Sequence, residues 1–158
     1  MNVTVSIRQS ALSLKSQKKK IAQIATCVVE SEKRRCDELA IFFVSEKQIC
    51  EMHGRYFNDP SPTDCISFPM CDEEEPGYSY LGDVFVCPET AMNYAEKHGI
   101  DPYRETTLYI VHGLLHLLGY DDMDPVSKRQ MRRKEKKYLT MIEEKGLLLC
   151  HSHLGNIR

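Results

Sequence analysis

Between Pro102 and Leu118 the chain reads PYRETTLYIVHGLLHLL, and the second half of this segment leaves almost no polar face. Leu108, Val111, Leu115 and Leu118 form one stripe at helical spacing, and Ile110, Leu114 and Leu117 form a second beside it. A helix that is apolar around most of its circumference has to be enclosed. The remaining elements must therefore be arranged around it, which makes it a central helix. Asp101 and Pro102 supply an N-cap and a first-turn proline, and Gly119 supplies the stop. A chain of 158 residues has the usual length of one domain and can bury one core.

The flanking segments supply strands and further helices. Val3, Val5 and Ile7 alternate with polar residues as in a half-buried strand, and Leu14 to Glu32 places Ile21, Ile24, Ala25 and Val28 on one helical face. Cys36 to Val44 reads as a buried strand. Ser45 and Gln48 fit a capping box that opens a helix carrying Ile49 and Met52 inward, with Gly54 as its stop. Asn58 to Pro62 is a turn cluster, and Cys65 to Pro69 and Tyr80 to Cys87 read as strands. Asp72 to Glu75, before Pro76 and Gly77, reads as a solvated hairpin tip. Pro88 opens a helix through Ala91, Met92 and Ala95 to Gly99. Asp124 and Pro125 start a last helix, 125–145, with Met131, Tyr138 and Ile142 as its buried stripe, and 147–158 reads as a flexible tail. This order predicts a single α+β domain over 1–158, with a small mixed sheet packed by helices.

The polar exceptions on the enclosed helix are His112 and His116, one turn apart on the same face. A lone buried histidine is more often a hydrogen-bonded core residue, but two at this spacing can present nitrogens to one metal ion. Gly119 lets the chain turn back, and Asp122 supplies an oxygen, with Asp121 as its neighbouring rival. The string His112-x-x-x-His116-x-x-Gly119-x-x-Asp122 is metzincin-like: three protein ligands with a fourth position left for water, the pattern of catalytic rather than structural zinc. Zinc in such a site lowers the pKa of water from about 15.7 to near 7, which points to hydrolysis. A zinc peptidase of this spacing carries Glu directly after the first histidine, and here that residue is Gly113.

Three blocks resemble the YbeY family of bacterial endoribonucleases and rRNA maturation factors. Val111 to Asp122, VHGLLHLLGYDD, resembles its H-G-x-L-H-L-x-G-Y-D-H signature; Pro62 to Pro69 resembles P-T-D-V-L-S-F-P; Leu81 to Cys87 resembles L-G-D-I-x-I. The resemblance implies one Zn2+ per chain on the histidine helix, single-strand-specific RNA cleavage, and a role in 16S rRNA 3′-end processing and ribosome quality control. The expected partners are ribosomal RNA and the small ribosomal subunit, with no DNA and no membrane. Two positions depart from the pattern. Asp122 stands where the family has His, and Phe57 stands where it usually has Arg, a role left vacant unless Arg55 fills it. Asp64 and Asp83 lie in the matching blocks and read as structural residues.

Lys128 to Lys137, KRQMRRKEKK, follows the metal loop and carries a dense positive charge. Such a run is usually a solvated helix face. Beside a hydrolytic centre, Lys128, Arg129, Arg132 and Arg133 become candidates for phosphate contact, with Arg55 and Lys18 to Lys20 as possible extensions. The net charge of −2 gives no hint of this, because the acidic loop offsets the basic helix. Seven cysteines with no C-x-x-C pair argue for reduced, mostly buried thiols. No apolar run is long enough to span a bilayer, and the N-terminus lacks the order of a secretory signal, so a cytoplasmic location is expected. His151 and His153 are further metal candidates by type, although a tail is the simpler account. Two other function classes remain at this point: a non-enzymatic ribosome-assembly factor with a degenerate or structural metal site, and a metallopeptidase, which Gly113 weakens.

Overall fold

The computed structural model describes residues 1–70 and 77–151. Its order is β1 (Asn2–Arg8), a 3-10 turn (Lys15–Gln17), α1 (Lys18–Ser31), β2 (Glu38–Val44), α2 (Glu46–Phe57), β3 (Cys65–Pro69), β4 (Tyr80–Val86), α3 (Pro88–His98), α4 (Pro102–Leu117) and α5 (Pro125–Glu144). The four strands form one sheet in the order β1-β2-β4-β3. β1 with β2 and β2 with β4 are parallel, and β3 with β4 is antiparallel. The fold is thus a single α+β domain with a mixed sheet, and β3 forms one edge of it.

α4 lies at the centre, packed against β3, β4, α1, α3 and α5. Ile110, Val111, Leu114 and Leu115 are fully buried, and Leu117 and Leu118 nearly so, as a helix apolar on most of its surface requires. Gly113 is what lets it approach the sheet. A Cβ there would overlap Val84 Cγ1 of β4 and lie 3.3 Å from Ser67 Oγ of β3. Ser67 Oγ donates instead to the Gly113 carbonyl, at 2.8 Å.

The caps follow the sequence closely. Ser45, Asp101 and Asp124 side chains accept from the backbone N–H groups of Gln48, Tyr103 and Ser127, satisfying donors that a helix start leaves free. α5 buries Met131, Tyr138 and Ile142. Gly119 takes φ +100° just past α4, a conformation that strains any residue with a Cβ.

Some elements differ from expectation. α2 does not stop at Gly54, which stays helical and packs near Pro60; it runs to Phe57, and Asn58 takes the left-handed conformation instead, its N–H returning to the Gly54 carbonyl. Asn tolerates that conformation because its short polar side chain bonds locally. β2 starts at Glu38 rather than Cys36, and Met92 faces outward at 38% exposure. Residues 147–150 are held against the body: Leu149 is buried, its N–H donates to Thr107 Oγ1, and Gln17 bonds both the N–H and the carbonyl of Cys150. The expected tail therefore does not begin at 147, because Leu149 completes the core beside α4. The six described cysteines are free thiols; Cys27 and Cys87 are buried, but Cys150 is exposed. Cys71, the hairpin tip at 72–75 and the tail from 152, with His153, lie outside the described residues.

Candidate metal centre

The helical repeat of α4 puts His112 and His116 on one face, their Nε2 atoms 3.0 Å apart. Beyond the Gly119 turn, Asp122 returns to them, with Oδ2 3.5 Å from His112 Nε2 and Oδ1 3.8 Å from His116 Nε2. Asp121 accepts the Met123 N–H at 2.8 Å, and of the two aspartates it is Asp122 whose carboxylate faces both histidines. Donors roughly 2.1 Å from one tetrahedral zinc lie about 3.4 Å from each other. Two imidazole nitrogens and a carboxylate at these separations fit one divalent ion.

A residue that the sequence reading missed lies behind His112. Glu135 Oε2 is 2.5 Å from His112 Nδ1. A carboxylate only accepts, so Nδ1 donates its proton to it, and in the neutral ring Nε2 then has its lone pair facing the site. This is the carboxylate–histidine arrangement that orients metal ligands. Glu135 is the single acid in the basic run and was absorbed into it. Its signal was positional: it lies four residues after Met131 and three before Tyr138, on the buried stripe of α5, where an unpaired acid is costly.

Burial works against a charge on His112, but the Glu135 hydrogen bond and the carboxylates of Asp64 and Asp122 outweigh it and raise its pKa. Burial and the neighbouring His112 push the pKa of His116 down. Asp64, expected to be structural, accepts the Cys65 N–H at 2.8 Å and also adjoins the site: Asp64, Cys65 and His112 form a second set of donor atoms within 4.8 Å of one another. Burial pushes the Cys65 thiol well above its usual range. Asp83 accepts from the Tyr80 hydroxyl on its own strand.

Glu32, at the end of α1, fixes the loop that delivers Asp122. It accepts from the Tyr120 hydroxyl at 2.6 Å, from Lys134 Nζ at 2.9 Å and from the Tyr138 hydroxyl. Despite burial, which opposes it, these bonds hold its carboxyl at about 2.

Lys134 therefore belongs to the fold. Of the four α5 cations expected to meet RNA, Lys128 and Arg132 line a concavity of about 350 Å³ together with Asp64, Tyr109, His112 and Asp122. Arg129 and Arg133 are exposed on α5 outside that lining, and Arg55 is exposed on α2. Lys20 of α1 bonds the Leu148 carbonyl. His151 packs edge-on to Tyr103, with ring centroids 6.0 Å apart, and Tyr103 precedes His112 by about 13 Å of helix.

Residues 3–143 match the family described as Endoribonuclease YbeY. The chain belongs to this family. A YbeY endoribonuclease of Protochlamydia amoebophila is 49% identical over 122 residues, covering 77% of this chain and 81% of the relative. One from Chlamydia felis is 35% identical over 156 residues, covering 94% and 96%. The solution structure of a Thermotoga maritima protein shares the fold, with a TM-score of 0.60 at 24% identity over 90% of each chain. YbeY proteins are metal-dependent endoribonucleases, so the chemistry is hydrolysis of RNA. The metallopeptidase alternative falls with this assignment. Gly113 gives a physical reason of its own, since its place against Val84 leaves no room for the side chain of a general base. Among the described residues, no helix is long and apolar enough to cross a membrane.

Proposed function

We propose that the chain is a zinc-dependent, single-strand-specific endoribonuclease of the cytoplasm that acts on ribosomal RNA of the small subunit, in 16S 3′-end maturation and ribosome quality control. The observation that carries this reading is a shared concavity: Lys128 and Arg132 line the same hollow as His112 and Asp122, so a cationic surface for phosphates adjoins the three converging donors. His112, His116 and Asp122 would hold the ion, and a bound zinc would supply Lewis-acid charge and acidify water at neutral pH. Glu135 keeps the His112 lone pair directed at the centre. Lys128 and Arg132 neutralise the substrate backbone and position the strand. Asp122 in place of histidine retains a good zinc ligand while changing the charge of the site, which shifts metal preference toward harder ions.

Metal analysis of the wild type, His112→Ala and Asp122→Ala, paired with cleavage of 16S precursor RNA, tests the reading. Bound zinc in the wild type, its loss in both variants, and parallel loss of cleavage are expected; cleavage that persists after complete metal removal overturns it. The departures at Asp122 and Phe57 favour one second reading, a non-enzymatic assembly factor. His116→Ala separates the two. If ribosome binding persists while processing stops, the assembly-factor reading fails.

A further inference from the structure

Next to the cationic concavity, at the histidine pair, lies a second groove of about 440 Å³, lined in part by His53, Phe57, Ile66, Pro69, His116 and Tyr120. The two hollows meet at the ligands: His116 lines this one and His112 the other, and their Nε2 atoms are 3.0 Å apart. Among the described residues, no lysine or arginine lines the second groove, so these residues are not built for phosphate. Several of its polar side chains already have backbone partners. Ser67 Oγ donates to the Gly113 carbonyl, Asp121 accepts the Met123 N–H, and His53 Nδ1 is paired with the Ser61 carbonyl at 2.9 Å. What it presents is mainly ring faces and aliphatic surface, with the Asp121 carboxylate beside them. Phe57, the last residue of α2, is 54% exposed at its rim, with its ring centroid 5.7 Å from that of His53.

Because the two hollows adjoin at His112 and His116, an RNA strand with its phosphates on Lys128 and Arg132 would bring its next nucleotide to this groove. We infer that the groove is a nucleobase subsite in which an unpaired base stacks on Phe57, next to the bond that is cut. The inference rests on the RNA-hydrolase reading above and adds to it a place for the base and a mode of recognition. With a lining that is mainly aromatic and aliphatic, the groove holds a base chiefly by its face, a mode of binding that tolerates any of the four bases. A base paired within a duplex cannot offer that face, which excludes double-stranded RNA at this position. Phe57 is a substrate-binding residue here, in place of the cation that the family pattern usually has.

The test uses single-stranded oligoribonucleotides carrying 2-aminopurine at successive positions, mixed with the metal-loaded protein and read in stopped flow before cleavage. Stacking quenches the probe. Quenching at one position beside the cut is expected, retained in Phe57→Tyr and lost in Phe57→Ala and Phe57→Leu, with affinity reduced about tenfold in the alanine variant. Circular dichroism of each variant confirms folding. If quenching and affinity are unchanged in Phe57→Ala, or if leucine serves as well as phenylalanine, the subsite is overturned while the RNA reading stands. If the wild type neither binds nor cuts any RNA, the RNA reading fails and the subsite with it.

Discussion

Gly113 lies against Val84 so closely that the helix bearing His112 and His116 can touch the sheet only because residue 113 has no side chain. Ser67 closes the same contact by donating to the Gly113 carbonyl. The absence of the peptidase glutamate and the seating of the helix thus have one cause.

Gly113→Ala tests this seating. In an exposed helix the change would stabilise by about 1 kcal/mol, but Val84 is fully buried and has to give way. Overpacking of this kind costs roughly 1–3 kcal/mol, so the net effect is destabilising. Urea unfolding of the two proteins measures it, and an alanine variant as stable as the wild type would refute the account.

Glu135→Ala leaves His112 Nδ1 without its acceptor and frees the ring to rotate. Zinc affinity should fall roughly 10- to 100-fold, as read by competition with a chromogenic chelator. Glu135→Gln, whose side-chain carbonyl can still accept from Nδ1, should recover part of the loss. Equal losses in both variants would point to the charge of Glu135 rather than to orientation.

The cations of α5 should separate into two groups. Lys128→Ala and Arg132→Ala should each lower the slope of log affinity for single-stranded RNA against log salt by about 0.7. Lys134→Ala should leave the slope almost unchanged and reduce stability, because Lys134 serves Glu32. Fluorescence anisotropy at several salt concentrations distinguishes the groups.

Glu32 makes the fold acid-sensitive. Its carboxyl is held at about 2, below the ordinary 4.5, so it contributes stability that is fully present above pH 4.5 and is lost as pH falls toward 2. Glu32→Gln should cost about 2 kcal/mol at neutral pH, the scale of hydrogen bonds to a charged group. The gap between variant and wild type should close as the pH drops through that window. A gap that stays constant in acid would show that the carboxylate charge plays no part.

Legible from the residues alone were the enclosed helix, its caps, the succession of strands along the chain, the His112 and His116 pair, and the family. These follow from periodicity and from short-range signals, which act within a few residues and so are written locally. Gly54 shows the limit of even those signals: a glycine does not stop a helix when Asn58 offers a satisfied cap one turn later. Tertiary structure alone decided that Asp122 and not Asp121 turns to the histidines, and that Asp64 adjoins them. It also placed Glu135 behind His112, tied Lys134 to the fold while Lys128 and Arg132 line the site, and packed Leu149 into the core. Each of these depends on where segments far apart in the chain meet, and a run of like charges carries no record of which of its members will be needed to satisfy a carboxylate on another helix.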